Sequence, residues 1–178
     1  KLKLISIGRN HWCKGYTNAL YDLYKAKKNG LKFQYTIVGG ISEQTRFIVH
    51  ELGLENEVSL IDNVSHKEAI MLVRESSILL LPSLTEGLSN IAVESMALGT
   101  PVISSDCNGM PELIDNGVTG ILYDWKTQGM LEQAIHKFQK MYPSQKKLMV
   151  QNARLRIENH FTSEHMISGM IQLYNDTL

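Results

Sequence analysis

The sequence predicts an α/β fold built on a doubly wound parallel sheet of about six strands, with additional helices at the C-terminal end. Short apolar runs alternate with amphipathic helical stretches over the first 123 residues, which is the order of βαβ units in a parallel sheet. Several of these runs are apolar on both faces, as expected for strands covered by helices on each side. Together these observations indicate a Rossmann-like domain, whose ligand would lie at the carboxyl ends of the strands.

The elements follow one another in a regular order. Strands are predicted at residues 4–7, 33–38, 58–61, 78–81, 101–104 and 120–122. Helices are predicted between them at residues 16–28, 42–52, 66–74, 89–98 and 111–115. After Tyr123 the alternation stops, and residues 126–178 are predicted to form two or three helices, interrupted near Pro143 and Thr162. A length of 178 residues without a linker or repeat indicates one domain over residues 1–178.

Composition argues against several classes of function. Lysine plus arginine and aspartate plus glutamate both number 18, so the formal net charge is zero and neither nucleic acid nor an anionic membrane is expected as a bulk electrostatic partner. The two cysteines, Cys13 and Cys107, form no CxxC motif, which favours a reducing, cytoplasmic compartment over a disulfide framework or zinc site. No apolar run reaches the roughly 18 residues of a membrane-spanning helix. The chain begins directly in a strand pattern, without a methionine or a signal peptide, and we expect it to be a segment of a longer protein.

The loop after the first strand, residues 8–15, is the first candidate site. Gly8 permits a tight turn and a close approach of a ligand to the backbone. Arg9 offers a planar set of donors for phosphate oxygens, and Lys14 places a point charge just before a helix N-terminus. The glycine spacing matches neither G-x-G-x-x-G nor the P-loop. From this loop alone, two solvated surface cations are an equally good interpretation.

Other residues in and beyond this loop give weaker evidence of a ligand site. His11 and Cys13 are two potential metal ligands, which are too few for a site. Three aromatic residues, Trp12, Tyr16 and Trp125, are expected to be packing residues.

The loop and helix at residues 82–97 are more informative. Glu86 precedes a helix that starts near Ser89, and Glu94 lies within that helix. Two carboxylates can accept hydrogen bonds from sugar hydroxyls while the free amides at the helix start hold an anion. Taken singly, each glutamate is more simply interpreted as a solvated charge. Of the other strand-end loops, residues 39–40 are a glycine pair, and residues 62–66 end in a helix cap at Ser65.

The spacing of the two glutamates carries a resemblance to a known family. They are separated by seven residues within Pro-Ser-x-x-Glu-Gly-x6-Glu-Ser-Met-Ala-x-Gly-x-Pro-Val-Ile, which resembles the E-x7-E signature of retaining GT-B glycosyltransferases of the family 4 type (glycosyl transferases group 1). Residues 109–114 and 116–120 resemble that family's Gly-Gly-x-Pro-Glu and Asn-Gly-x-x-Gly segments, and residues 8–15 resemble its first loop. The matches run from residue 4 to about residue 122 in the family's order. They cover the C-terminal, donor-binding half of a GT-B fold, and the N-terminal acceptor domain is absent from this sequence.

The resemblance implies a role for each matching residue. Arg9 and Lys14 would bind the diphosphate of a nucleotide-sugar donor, and Glu86 would contact the donor sugar. Glu94 would accept hydrogen bonds from the ribose hydroxyls. No metal or other cofactor is expected, because cations and helix-start amides carry the leaving group's charge in enzymes of this kind. The remaining substrate-binding positions are Gly8 in the first loop, the helix-start residues Gly87, Leu88, Ser89 and Asn90, and Val64, whose region would contact the base.

Two positions depart from the family's pattern. Asp62 and Asn63 stand where glycine and an aromatic residue are frequent, and Asn108 stands where the first glycine of the Gly-Gly pair is usual. Neither departure touches the charged residues.

The resemblance therefore implies a retaining glycosyltransferase that moves a sugar from a nucleotide-diphosphate sugar to an acceptor in polysaccharide or glycolipid synthesis. This chain would bind the donor, and alone it would be inactive. Its expected partners are the donor and the N-terminal acceptor domain, with peripheral association of the full-length protein at the inner face of the membrane. Two alternatives remain: a non-catalytic nucleotide-sugar-binding module, and a nucleotide-sugar epimerase of the same architecture. The base, the sugar and the acceptor are not specified.

Overall fold

A six-stranded sheet forms the centre of the protein, whose computed structural model describes residues 1–177. The strands are β1 (Leu2–Ile7), β2 (Phe33–Val38), β3 (Val58–Ile61), β4 (Ile78–Leu81), β5 (Val102–Ser105) and β6 (Ile121–Tyr123). Their order is β3-β2-β1-β4-β5-β6, and all neighbours are parallel. The chain moves outward from β1 to β3 and then returns to the other side of β1. This is the predicted doubly wound topology, and its switch point lies between β1 and β4.

Eight α-helices connect and follow the strands in the described part of the chain. They are α1 (Tyr16–Lys28), α2 (Glu43–Glu51), α3 (His66–Glu75), α4 (Asn90–Leu98), α5 (Met110–Leu113), α6 (Met130–Lys140), α7 (Pro143–His160) and α8 (Ser163–Thr177). A short 3₁₀ helix at Trp12–Lys14 lies in the loop before α1. The sequence did not indicate it, because three residues are too few to show a helical period.

Two apolar clusters lie on the opposite faces of the sheet. Along β4, the side chains alternate: Leu80 belongs to one cluster, whereas Leu79 and Leu81 belong to the other. Helices α1, α2 and α6 contribute to the first cluster, and α3, α4 and α5 contribute to the second. Because both faces are covered, the strand is apolar without polar alternation.

Helix α8 exposes an apolar stripe. Met166, Ile167, Met170 and Ile171 are 62%, 52%, 55% and 56% exposed. The helix starts at Ser163, next to the interruption that the sequence predicts near Thr162. Every helix within residues 1–177 is too short or too polar to cross a bilayer.

Candidate functional site

The loops that follow β1 and β4 lie side by side, because the two strands are paired through Leu4 and Ile78. The backbone N–H of Leu84 donates to the carbonyl oxygen of Cys13 at 2.7 Å. Gly15 has a φ of 65°, and a Cβ at this position would overlap the carbonyl oxygen of Pro82. The loop after β1 can therefore approach the loop after β4 this closely only with glycine at position 15.

An ion pair joins the two loops. The Nζ of Lys14 lies 2.7 Å from the Oε2 of Glu86, and the two side chains are 21% and 16% exposed. The hydroxyl of Ser83 donates to the same oxygen at 2.9 Å. Two donors thus fix one oxygen of the carboxylate, and within the described residues Oε1 receives no hydrogen bond.

The loop after β5 supports the backbone beside Glu86. The N–H of Gly109 donates to the carbonyl oxygen of Glu86 at 3.2 Å, and a Cβ on Gly109 would lie 2.9 Å from the carbonyl carbon of Gly87. The preceding residue, Asn108, has a φ of 42°. This left-handed conformation explains why glycine is usual at that position of the family's pattern, and asparagine is among the few other residues that adopt it.

Two helices begin at this edge with open N-termini. Helices α1 and α4 have no acidic residue in the first turn and no side-chain cap. Five other helices of the described chain each carry a glutamate in the first turn: α2, α3, α5, α6 and α8. Free amides and the positive end of the helix dipole favour an anion. At α1 and α4 no carboxylate of the same helix competes with that anion.

Glu94, in the middle of α4, contacts the start of α3. Its Oε1 lies 2.8 Å from the Nε2 of His66. Ser65 caps α3 by accepting a hydrogen bond from the N–H of Glu68, as the sequence predicts. Val64, two residues before His66, is partly buried against the second apolar cluster. The contact therefore joins the loop after β3 to α4.

The structure brings some of the predicted site residues together and leaves others apart. Lys14 lies against Gly8, since a Cβ on Gly8 would be 3.1 Å from the Cε of the lysine. Arg9 is exposed, and it forms no hydrogen bond or ion pair with any residue of the described chain. At the start of α4, Ser89 is buried while Leu88 is 50% exposed.

The aromatic residues divide between confirmed and wrong predictions. Tyr16 is 6% exposed, and burial, together with the nearby carboxylate of Glu86, raises the pKa of its hydroxyl well above the ordinary value. Trp125 packs against both apolar clusters. The expectation that Trp12 is a packing residue is wrong, because it is 73% exposed in the 3₁₀ helix.

Sequence reasoning missed Ser83 and His66. Ser83 stands in the Pro-Ser pair at the end of β4, and its hydroxyl three residues before Glu86 was the available signal. For His66 the only signal was its place directly after a helix cap.

The part of the chain that the structure describes contains no group of three or more His, Cys, Asp or Glu side chains arranged to hold a metal ion. His11 and Cys13 instead contact each other, with Nδ1 and Sγ 2.9 Å apart. The expectation that no cofactor is used stays a prediction.

The fold is a Rossmann-like domain of the type found in the C-terminal half of GT-B glycosyltransferases. Residues 1–156 match the family described as glycosyl transferases group 1. The chain belongs to this family.

Curated relatives of the chain are glycosyltransferases. The amylovoran biosynthesis glycosyltransferase AmsK of Erwinia amylovora is 35% identical over 129 residues, which cover 68% of this chain and 32% of that protein. The putative colanic acid biosynthesis glycosyltransferase WcaL of Escherichia coli (strain K12) is 27% identical over 171 residues, which cover 92% of this chain and 42% of that protein. The chain thus spans less than half the length of these relatives.

Solved structures confirm the fold. Sucrose-phosphate synthase from Thermosynechococcus elongatus superposes with a TM-score of 0.86 at 24% identity, over 99% of this chain and 45% of that one. HepE of Anabaena, in complex with UDP and glucose, superposes with a TM-score of 0.85 at 19% identity, over 100% of this chain and 49% of that one. LpcC from Francisella tularensis is a glycosyl transferase group 1 family protein. Its C-terminal domain superposes with a TM-score of 0.77 at 18% identity, over 92% of this chain and 87% of that one.

Proposed function

We propose that this chain binds the nucleoside diphosphate sugar donor of a retaining glycosyltransferase that acts in polysaccharide or glycolipid synthesis. The observation that carries the proposal is the contact between Lys14 and Glu86, which joins the loops after β1 and β4 at the switch point of the sheet. A cation for phosphate and a carboxylate for sugar hydroxyls are held there in one partly buried pair.

The diphosphate binds between the open helix starts and the two cations of the first loop. Arg9 is exposed and free to turn toward a ligand, and Lys14 is shared between Glu86 and the phosphate oxygens. The leaving group gains negative charge as the glycosidic bond breaks. Removing one preorganised donor to such a charge typically costs about 2.7–4 kcal/mol of transition-state stabilisation. No metal ion is required in this arrangement.

The sugar and the nucleoside occupy the two sides of the diphosphate. The free Oε1 of Glu86 accepts a hydrogen bond from the donor sugar, and the backbone amides of residues 87–90 face the sugar and the phosphate. Glu94 accepts hydrogen bonds from the ribose hydroxyls. The backbone near Val64 contacts the base.

The relatives support the donor class and the setting. The name of AmsK places it in amylovoran biosynthesis and that of WcaL in colanic acid biosynthesis, and both are names of polysaccharide pathways. HepE structures hold UDP and UDP-glucose, which makes UDP the first nucleotide to test.

The rest of the protein supplies the acceptor site. Transfer takes place in the cleft between the two domains, in the cytoplasm and in peripheral contact with the membrane. Retention of configuration needs no nucleophile from this chain if the leaving phosphate assists attack on the same face of the sugar.

Isothermal titration calorimetry with UDP, GDP and ADP tests the donor-binding proposal. We expect one of the three to bind the wild-type chain and Glu94→Ala to weaken that binding about tenfold or more, the cost of a hydrogen bond to a charged group. Glu158→Ala, at an exposed position of α7, serves as the matched control and should leave affinity unchanged. If none of the three nucleotides binds, donor binding is wrong; equal affinity of wild type and Glu94→Ala removes the ribose role.

Glu86→Ala tests the reaction in the full-length protein. Its kcat for sugar transfer should fall about 100-fold, as when one preorganised polar group is removed, while nucleotide affinity changes less. The assay follows a labelled donor sugar. Label in the acceptor supports a transferase, whereas isomerised donor without transfer identifies an epimerase.

A further inference from the structure

We infer that His66 is a positioning residue that holds the Glu94 carboxylate for the ribose and thereby sets a preference for ribonucleotides over 2′-deoxyribonucleotides. The inference rests on the proposed function of Glu94 and deepens it. His66 lies outside the motifs that carry the family resemblance.

The contact fixes a side chain that would otherwise be mobile. The Nε2 of His66 lies 2.8 Å from Oε1 of Glu94, and the two side chains are 73% and 33% exposed. Within the described residues, no other side chain donates to this carboxylate. A partly exposed glutamate samples many rotamers, and a ligand that needs one of them must overcome the lost entropy. The imidazole removes part of that cost before the ligand arrives.

The backbone position of His66 is set by the N-terminal cap of α3. His66 is the first residue of α3, and the preceding residue, Ser65, closes a capping box with Glu68: the Ser65 N–H donates to the Glu68 carboxylate at 2.8 Å, and the Ser65 hydroxyl accepts from the Glu68 N–H at 3.3 Å. The backbone that carries the imidazole is therefore held at the helix start. Since α4 carries Glu94 and no other charged residue, His66 has one acidic partner on that helix.

The arrangement suits a vicinal diol. Each carboxylate oxygen has two lone pairs, so Oε1 can accept from His66 and still accept from one hydroxyl, while Oε2 accepts from the second. A ribose supplies both hydroxyls. A 2′-deoxyribose leaves one acceptor of an oriented, partly desolvated carboxylate unpaired, and a site built for a hydroxyl discriminates against the ligand that lacks it.

The test measures a ratio of affinities by calorimetry on the 178-residue chain. UDP is compared with 2′-deoxy-UDP; if UDP does not bind, GDP or ADP and the matching deoxy compound replace the pair. We expect wild type to favour the ribonucleotide about tenfold. His66→Ala should reduce the ratio to about twofold, mainly through weaker ribonucleotide binding. His66→Gln should restore part of the ratio, because its amide N–H can donate in place of Nε2.

A matched control lies in α2. His50 also pairs with a glutamate, its Nδ1 lying 2.7 Å from Oε1 of Glu55, so His50→Ala should leave the ratio unchanged. Thermal unfolding of each variant verifies the fold, and His66→Gln keeps the test valid if the alanine variant is unstable. Nucleotide binding with an unchanged ratio in both His66 variants overturns this inference alone. Nucleotide binding with no ribose preference in wild type overturns the inference together with the ribose role of Glu94, while donor binding stands. Failure of wild type to bind any of the three diphosphates overturns both the inference and the proposed function.

Discussion

Asn108 adopts a backbone conformation that costs most residues free energy. Its φ of 42° lies in the left-handed region, and its backbone leads directly into the glycine that packs against Gly87. Left-handed geometry costs an ordinary L-residue roughly 1–2 kcal/mol, and asparagine tolerates it better than most. The position therefore selects residues by conformation, independently of any contact with a ligand.

Substitutions at Asn108 should accordingly follow backbone preference. We expect Asn108→Ala to lower the free energy of unfolding by about 1 kcal/mol, and Asn108→Gly to leave it equal or raise it by up to about 1 kcal/mol. Urea unfolding followed by circular dichroism measures both. A glycine variant clearly less stable than the alanine variant would contradict this explanation.

Single residues also mark how far the sequence alone could lead. Lys14 and Glu86 were predictable as one site, because both follow strands whose carboxyl ends meet in a doubly wound sheet. Their direct contact was not predictable, nor was the role of Ser83, since both depend on the path of two loops. Trp12 was wrongly predicted for the same reason: burial of a loop side chain follows the loop's path and has no sequence period.

At the scale of elements, Gly15 is the position where two loops press against each other. Gly53 has a similar φ of 60° but open space around it, whereas a Cβ on Gly15 would meet the backbone of Pro82. A comparison of substitutions at these two glycines therefore distinguishes the free-energy cost of conformational strain from that of steric overlap.

We expect Gly53→Ala to lower the free energy of unfolding by about 1 kcal/mol, the cost of a left-handed alanine. Gly15→Ala should lower it by about 3 kcal/mol, because overlap with the neighbouring loop adds to that cost. Urea titrations of both variants decide the comparison. Equal losses would show that the Gly15 loop moves aside freely.

Element types were predictable, while their ends were not. Strand β1 starts at Leu2, two residues before the prediction, because the Leu2 N–H donates to the carbonyl oxygen of Lys32. Strand β5 starts one residue late, at Val102, since Pro101 has no N–H to donate to a neighbouring strand. Such ends depend on the partner strand, which local sequence does not contain.

At the scale of the whole molecule, the chain should bind a donor nucleotide and yet fail to turn over. It spans 32% to 42% of the length of the curated relatives described above, and the acceptor site is proposed to lie in the remainder. We expect no multiple-turnover transfer of labelled sugar by residues 1–178, with the full-length protein as the positive control. Sustained transfer by the chain alone to a defined acceptor would disprove this division of labour.

The switch point also determines when the site can exist during folding. Ser6 and Leu80 lie 74 residues apart in sequence, so the pairing of β1 with β4 closes a much longer loop than any other pairing in the sheet. Closing long loops costs more entropy and delays contact formation. The halves β1-β2-β3 and β4-β5-β6 can each form from nearer neighbours, so we expect their pairing with each other to come last. Lys14 and Glu86 follow strands from different halves, and they can meet only when β1 pairs with β4.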